Sequence, residues 1–436
     1  MSISLANRIH DELRKTILID PHSHINPHTP ASQTLADLLG YHYYTELAHS
    51  AGMPRERIEP PKTNGNSVST LDPREKVSRL MQHLGAIDNT VQWSWMLDLC
   101  RELFDWDENR IDLSNWERLY DRAETVCRAA DWEDQLLKRS GVESIFLTND
   151  FDDPLQGFDL KRYIPCLRTD DLVFHLAKPS VVSRLEKCSN VSIRDLGSLS
   201  QAISYLFDHF SKNGARACAI SLPPDFTPSE VSDSDAEKAL AHVLKNSDVN
   251  ATIESRCVLS RWTFWTLARH CAEYRLPFDL MIGVNRQVYP GGVFQGQDLF
   301  DSRVSMIQYA KLFNAFPNVT FPISVLASVT NQELVDYSWI FPNVVTNGHW
   351  WYSNTPSIIY RDLSARMEAI PRTKQIGYYS DAYKLEFILP KFSMYRRILS
   401  RVLAEDFAVG RRWGEDACVA LGNQILRGNV ERIFGV

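Results

Sequence analysis

The sequence predicts an α/β protein whose parallel strands close into a (β/α)8 barrel of the TIM type. Short β-branched and apolar runs alternate with helical stretches along the chain, and this pattern favours parallel strands joined by crossovers. Eight such runs are present, the number of strands in a closed barrel. They are 16–20, 142–147, 163–167, 215–222, 278–283, 319–323, 344–346 and 375–379. An open doubly wound sheet would show the same alternation, but no G-x-G-x-x-G follows a strand, so a dinucleotide fold has no specific support.

The segments between the strands have the spacing of helices that lie on a sheet. In 200–213, apolar residues recur every three or four positions and therefore share one helical face. Similar segments are 262–274, 302–313 and 331–340. Each of these precedes another predicted strand, as the barrel requires.

The connection between the first two strands spans roughly 115 residues, far more than an ordinary loop, so we expect it to carry structure of its own. Its predicted helices are 35–51, 72–84, 92–104 and 114–139. We therefore predict one elaborated barrel domain over 1–436 with a large α-helical insertion over 25–140. Within it, 53–71 is rich in proline, glycine, asparagine and serine, which favours either a lid or a solvated loop.

Composition narrows the classes of partner. The chain has 436 residues, of which 44% are hydrophobic, and a net charge of -7, so it offers no electrostatic reason to bind nucleic acid or an anionic membrane. No apolar stretch reaches the length of a membrane span, and the first residues do not resemble a signal peptide. Eight cysteines are scattered without a C-x-x-C pair, which predicts reduced thiols and a cytoplasmic location. We expect small-molecule or protein partners, with a homo-oligomer left open.

Two imidazoles stand at the end of the first predicted strand, in the segment Asp20-Pro21-His22-Ser23-His24. Because side chains alternate along a strand, His22 and His24 point to the same side. Two neutral imidazoles and one oxygen ligand suit a divalent metal ion with an open coordination position. Asp381 follows the last strand, which neighbours the first in a closed barrel, and is the natural third ligand. The alternatives are a pair of surface or hydrogen-bonded histidines and, for Asp381, a helix N-cap or loop carboxylate.

Other strand ends bring further polar and aromatic side chains to the same face of the barrel. They are Asn149, Asp150, Arg168, His349 and Trp350. The planar guanidinium of Arg168 could hold a substrate carboxylate through two hydrogen bonds. Alternatively, Arg168 forms an ion pair with Asp170 or Asp171.

Several short motifs, spread over most of the chain, can be compared together with the motifs of known families. They are 20–24, 41–43, 147–154, 167–170, 348–354, 380–381 and 395–399. The Trp350-Trp351 and Arg396-Arg397 pairs are the most distinctive. The pattern resembles that of the uronate (glucuronate) isomerases of the amidohydrolase superfamily, in which Asp-x-His-x-His-Leu, His-Tyr, Gly-Trp-Trp-Phe-Asn-Asp and Phe-Arg-Arg-Ile-Leu occur in the same order. The resemblance implies a barrel of the metal-dependent hydrolase type.

The same resemblance implies an enzyme that interconverts an aldose hexuronate, such as glucuronate or galacturonate, with its ketose form. A proton would move from C2 to C1 through an enediol. His22, His24 and Asp381 would hold a divalent ion, with zinc expected and Asp381 also a proton acceptor.

Further site residues follow from the resemblance. His42 and Tyr43 would contact substrate oxygens or relay a proton, although 41–44 could instead be an aromatic helix face packed on the barrel. Arg168 would meet the substrate carboxylate, and Trp350 with its neighbour His349 would line the substrate.

Two departures from the family pattern concern the chemistry. Met281 stands where the family has a histidine at the end of the fifth strand, and methionine is neither a strong hydrogen-bond partner nor a hard-metal ligand. The family also has an arginine two residues after its last aspartate, where this chain has Tyr383. Lys384 could supply that positive charge from a shifted position, without the planar fork.

Two rival functions stay open at this point. One is a metal-dependent hydrolase, which would use metal-bound hydroxide but usually has histidines at the ends of the fifth and sixth strands. This chain has Met281 and Pro322-Ile323-Ser324 there. The other is a noncatalytic sugar-acid-binding homologue, suggested by Met281 and Ala382.

Overall fold

The computed structural model describes residues 2–58 and 71–436. Each of the eight predicted strands is present. They are β1 (Leu18–Asp20), β2 (Val142–Phe146), β3 (Tyr163–Ile164 and Cys166–Arg168, on either side of Pro165), β4 (Ala217–Leu222), β5 (Phe278–Ile282), β6 (Phe321–Val325), β7 (Val344–Asn347) and β8 (Gln375–Ile376). β3 is divided because proline has no N–H to donate to a ladder. A short hairpin, Val284–Asn285 with Leu299–Phe300, follows β5.

Neighbouring barrel strands pair in parallel and in chain order, from β1 to β8. Backbone hydrogen bonds beyond the ends of β1 and β8 close the circle. The N–H of Asp381 donates to the carbonyl of His22 at 3.1 Å, and the N–H of His24 donates to the carbonyl of Ala382 at 2.8 Å. The predicted (β/α)8 barrel is therefore confirmed, and its closure places the start and the end of the barrel side by side.

Several helices lie between β1 and β2. They are Leu35–Leu39, His42–Ser50, Pro73–Leu84, Val91–Phe104, Trp116–Cys127 and Trp132–Ser140. The predicted helices 35–51 and 114–139 are each two helices. The first ends at Gly40, whose N–H donates to the carbonyls of Ala36 and Leu38. This cap allows the chain to turn before His42.

The remaining helices surround the barrel or follow it. They are Ser2–Leu13, Asp170–Phe174, Pro179–Ser189, Leu196–Lys212, Asp233–Asn250, Ile253–Tyr274, Ala310–Ala315, Asn331–Ile340, Pro356–Ala369, Ile388–Val402, Glu415–Asn423 and Asn429–Phe434, with π-helical turns at Leu403–Val409 and Gln424–Gly428. The helix predicted over 302–313 begins later, with a 3-10 turn at Met306–Tyr309. Ser305 and Gln308 form a capping box there, which sets the start of that turn.

Side chains fill the interior of the barrel at the amino-terminal end of its strands. Ile19, Phe146 and Val345 meet Phe434 of the last helix, and the rings of Phe146 and Phe434 lie 4.9 Å apart. Burial of a phenylalanine side chain of this kind contributes about 2–3 kcal/mol to stability. Because this end is packed, a ligand can enter at the carboxyl ends of the strands, where the predicted site residues lie.

In the part of the chain that the structure describes, no helix combines the length and the apolar character needed to cross a membrane. Of the segment 53–71, interpreted above as a lid or a solvated loop, residues 59–70 lie outside the described residues. The division into one domain over 1–436 with an insertion over 25–140 stays a prediction.

Candidate active site

His22, His24 and Asp381 converge at the carboxyl end of the barrel. The Nε2 atoms of His22 and His24 lie 3.5 and 3.3 Å from Oδ1 of Asp381. Each residue offers one ligand atom, and these atoms all lie within 4.8 Å of one another. Nε2 of His22 and Oδ1 of Asp381 are buried and have no hydrogen-bond partner among the described residues. Two imidazole nitrogens and a carboxylate oxygen aimed at one point fit a divalent metal ion.

The far nitrogens of both imidazoles face oxygen atoms of neighbouring side chains. Oγ1 of Thr148 donates to the carbonyl of Ser23 at 3.0 Å, so it can accept the Nδ1 proton of His24, which lies 2.8 Å away. This assignment leaves the Nε2 lone pair of His24 free for a metal ion. Nδ1 of His22 faces Oδ2 of Asp279 at 3.8 Å. Carboxylate and hydroxyl groups behind metal-binding histidines orient their rings in proteins.

The backbone around Asp381 fixes its carboxylate at the site. Asp381 has φ of 50°, in the left-handed region that aspartate tolerates better than most residues. Its carbonyl accepts a hydrogen bond from the hydroxyl of Tyr41 at 3.0 Å. The N–H of the preceding Ser380 donates to Oδ1 of the buried Asp20 at 2.8 Å. These bonds hold a backbone conformation that costs of order 1 kcal/mol.

Burial and the charges of neighbouring side chains shift the pKa values of His22, His24 and Asp381. Burial disfavours the charged imidazole of His22, but Asp381 and Asp279 outweigh it and raise the pKa of His22. Burial is the larger effect on His24 and lowers its pKa. Burial also disfavours the charged carboxylate of Asp381, yet its two histidine partners hold the pKa of Asp381 well below the ordinary value. The carboxylate is therefore ionised, as a metal ligand must be.

A buried lysine lies behind the site. Nζ of Lys391 donates to the carbonyl of Ser380 at 2.7 Å and to the hydroxyl of Tyr41 at 3.1 Å. Its ammonium also lies 5.1 to 5.2 Å from the ring centres of Tyr41, Tyr43 and Trp95. Burial lowers the pKa of Lys391 to about 8. This ammonium links the insertion to the segment that carries Asp381.

A pocket opens above the three candidate ligands. It is lined by His22, His24, His42, Thr148, Arg168, Asp170, Ala219, Ile220, Ser221, Met281, Arg286, Gln295, Asp298, Trp350, Trp351, Asp381 and Tyr383. Of the predicted substrate-contacting residues, His42, Arg168 and Trp350 lie on its wall. Met281 also lies there, so the departure from the family pattern at the end of β5 falls within the pocket.

His42 forms a dyad with a carboxylate of its own helix. Nδ1 of His42 lies 2.7 Å from Oε1 of Glu46, one helical turn away. A carboxylate in this position accepts the Nδ1 proton and leaves the Nε2 lone pair available. Both side chains are largely buried. The dyad can therefore accept a proton from a ligand and stabilise the imidazolium that results.

Of the two roles that the sequence left open for Arg168, the structure shows the ion pair, and binding of a substrate carboxylate stays a prediction. Nε of Arg168 donates to Oδ2 of Asp170 at 3.2 Å, so the predicted ion pair is present. Its two terminal nitrogens have no hydrogen-bond partner among the described residues, and the side chain lines the pocket. The pair to Asp170 fixes the guanidinium and leaves its outer edge free for an anion.

Three predicted substrate or proton-transfer residues are not among those that line this pocket, and their roles stay predictions. Nζ of Lys384 donates to the carbonyls of Thr29 and Ala31, so its charge is held outside the pocket. Tyr43 packs against His42, with ring centres 4.2 Å apart. This contact agrees with the alternative that 41–44 forms an aromatic helix face packed on the barrel. His349 is buried. Burial lowers the pKa of His349, and the charge of Arg366 lowers it further.

The sequence interpretation missed several pocket residues on the loop inside the hairpin that follows β5. Nη1 of Arg286 donates to Oδ2 of Asp298 at 2.6 Å, and its Nη2 donates to Oγ of Ser221 at 3.2 Å. Gln295 reaches the pocket from the same loop. These residues follow β5 in a segment whose sequence has no helical or strand periodicity. Their position shortly after the carboxyl end of β5 was the one feature that could have indicated them.

Comparison with known proteins gives a consistent result. A family model described as glucuronate isomerase matches residues 4–427. A uronate isomerase from Cutibacterium acnes is 21% identical over 467 residues, which cover 100% of this chain and 96% of the relative.

Solved structures match over the same extent. The crystal structure of a uronate isomerase from Thermotoga maritima has a TM-score of 0.88 at 18% identity, covering 99% of this chain and 97% of the other. That of a glucuronate isomerase from Caulobacter crescentus has a TM-score of 0.89 at 19% identity, covering 100% and 94%. At these identities the structural likeness concerns the fold, while the family model spans nearly the whole chain.

Proposed function

Because this chain belongs to the glucuronate isomerase family, we propose that it interconverts an aldose hexuronate with its ketose form. Glucuronate and galacturonate are the substrates to test first. The observation that carries the proposal is the convergence of three candidate metal ligands with the free edge of Arg168 in one pocket. A sugar acid needs both a polarising group for its carbonyl end and a partner for its carboxylate.

The reaction moves hydrogen within one molecule and needs no external oxidant. The proton on C2 leaves to a base while the C1 oxygen gains a proton, which gives the enediol. The O2 proton is then lost and C1 gains a proton, so that C2 becomes the ketone and C1 carries the hydroxyl. The site must therefore carry protons and stabilise a developing oxyanion.

His22, His24 and Asp381 would hold the divalent metal ion. A bound divalent ion would act as a Lewis acid toward the substrate oxygens. The orphaned Nε2 of His22 and Oδ1 of Asp381 support this role, because buried polar atoms without partners are costly. Zinc is the ion we expect, although the donor set also suits manganese, iron or nickel.

His42 is the proton carrier that we favour for the transfer between C2 and C1. Its side chain lines the pocket and its Nδ1 is paired with Glu46, which would stabilise the protonated ring. We propose Asp381 as the second proton acceptor, which takes protons from the hydroxyl groups of the substrate.

Arg168 would bind the substrate carboxylate through its two terminal nitrogens. Trp350 would cover an apolar face of the sugar. This arrangement would place the carboxylate end of the substrate at Arg168 and the C1–C2 end at the candidate metal ligands. It selects for acids over neutral sugars of the same size.

The test is exchange of the C2 proton in metal-replete protein. Glucuronate and galacturonate in deuterium oxide should lose the C2 proton signal and form the ketose. A metal-dependent hydrolase would instead cleave ester or amide substrates, and a noncatalytic homologue would bind hexuronates without exchange. Absence of exchange and turnover on a panel of hexuronates would contradict the proposal.

The wider setting of the enzyme stays a prediction. We propose a cytoplasmic location, for which the scattered cysteines, all of them free, are the support. A homo-oligomer also stays a prediction.

A further inference from the structure

Tyr383 lies between the candidate metal ligands and the proton-transfer dyad. Its ring stacks on the imidazole of His24, with ring centres 4.9 Å apart and planes inclined by 24°. The ring of His42 lies 5.6 Å away on another side. Tyr383 itself lines the pocket. The phenol thus stands beside both parts of the proposed machinery.

The hydroxyl of Tyr383 has a donor partner and a proton left over. Nε2 of Gln295 donates to this oxygen at 3.1 Å. A phenol has one proton to give as well as lone pairs to accept with. No acceptor for that proton is found among the described residues. Because Gln295 already donates to this oxygen, the O–H group can point into the pocket.

We propose that Tyr383 donates a hydrogen bond to an oxygen of the bound sugar acid and that Gln295 positions its hydroxyl. This inference rests on the proposed function and adds a residue to it. The bond strengthens as negative charge develops on a substrate oxygen in the enediol step, and the proton stays on the phenol. It would supply an uncharged donor in a pocket where Met281 supplies none.

The loop that carries Gln295 is anchored on both sides. Asp298 accepts from the N–H of Gln287 at 2.8 Å and from Arg286, while its own carbonyl accepts from the hydroxyl of Tyr352 at 2.6 Å. Gln295 has φ of 67°, an uncommon conformation that such anchoring can maintain. The amide of Gln295 is therefore held toward Tyr383.

The first variant is Tyr383→Phe, which removes the hydroxyl and keeps the ring over His24. We expect kcat on hexuronates to fall about 10- to 100-fold, since loss of one such donor has effects of this order or larger. KM should change by less than kcat does, and the metal content should equal that of the parent. Tyr289→Phe is the matched control, because the Tyr289 hydroxyl contacts His49 instead of the pocket. It should leave kcat unchanged.

The second variant is Gln295→Asn, which shortens the side chain at a backbone angle that asparagine tolerates. It should lower kcat in the parent but not in the Tyr383→Phe background, because Gln295 acts through that hydroxyl. Gln287→Asn is its matched control, since Gln287 lies in the same loop with φ of 55°. Gln287 does not line the pocket, so kcat should be unchanged.

Three results would overturn the inference. They are full kcat in Tyr383→Phe, loss of metal in that variant, or equal effects of Gln295→Asn in both backgrounds. A parent that turns over no hexuronate would instead count against the proposed function. The hydrogen bond is then tested by glucuronate binding, where Tyr383→Phe must weaken affinity about fivefold or more. Unchanged affinity, or no binding by the parent, would overturn it.

Discussion

Nε2 of His24 lies 3.3 Å from Oδ1 of Asp381, so a histidine just beyond β1 meets a carboxylate just beyond β8. The contact depends on barrel closure, because the backbone bonds between these two segments join residues from opposite ends of the chain. Neither residue could reach the other through local structure. A change that opened this closure would separate the candidate ligands as well.

The His42–Glu46 dyad gives a prediction about proton transfer. His42→Gln should lower kcat on hexuronates about 100-fold or more, because general acid–base catalysis contributes effects of this size. Metal content should be unchanged, since His42 is not among the candidate ligands. The matched control is His49→Gln on the same helix, where Nδ1 of His49 faces the carbonyl of Met53 instead of a carboxylate. Equal kcat values for the parent and His42→Gln would contradict the role.

Arg168 gives a prediction about substrate selection. Arg168→Lys keeps the charge but loses the planar fork, so KM for glucuronate should rise about tenfold, a loss of about 1.4 kcal/mol in binding. Steady-state kinetics of the parent and Arg168→Lys measures this change in KM. Arg184→Lys is a control outside this pocket, where Arg184 binds Asp152 and Asp171. A KM that Arg168→Lys leaves unchanged would place the carboxylate elsewhere.

The titration of His22 gives a prediction about metal affinity. Burial opposes protonation, but Asp381 and Asp279 raise the pKa of His22, so the metal-free site holds a proton there to a higher pH than usual. Metal binding requires the neutral ring, so affinity should fall as pH drops through that pKa, about tenfold per pH unit for each displaced proton. Competition with a chelating dye at several pH values measures this. Affinity that does not change with pH below the ordinary histidine pKa of about 6.5 would contradict it.

Lys391 gives a prediction about stability. Its pKa in the folded protein is lowered to about 8, while the unfolded chain keeps the ordinary value of 10.5. Between these pH values the unfolded state binds more protons, so stability increases with pH there and the cost of burying the charge is felt below pH 8. In metal-free protein, the free energy of unfolding of the parent should rise by roughly 3 kcal/mol relative to Lys391→Met across this window. A constant difference between the two proteins would contradict the prediction.

The sequence allowed the barrel and the candidate ligands to be predicted, because both follow from regular patterns. Alternation of strands and helices indicated parallel pairing, and closure then required His22 and Asp381 to be neighbours. The two-residue spacing placed His24 beside His22. Helices between β1 and β2 were also predicted, although Gly40 divides one of them in a way that apolar spacing does not reveal.

Side-chain directions after the strand ends could not be predicted in the same way. Lys384 turns to the carbonyls of Thr29 and Ala31, and this orientation depends on a backbone that only the folded chain defines. Gln295 reaches the pocket from a loop whose path has no periodic signal. Tyr383 attracted attention in the sequence only as a departure from a family pattern, while its position beside His24 emerges from the structure.

The most direct test of the account is the metal content of the purified parent, His22→Ala and Asp381→Asn. Asp170→Asn is the matched control, because Asp170 lines the same pocket but pairs with Arg168. The parent and the control should each hold about one divalent ion per chain, and the two ligand variants should hold far less and lose C2 proton exchange. Metal content in His22→Ala and Asp381→Asn equal to that of the parent would contradict the site on which the proposed isomerisation depends.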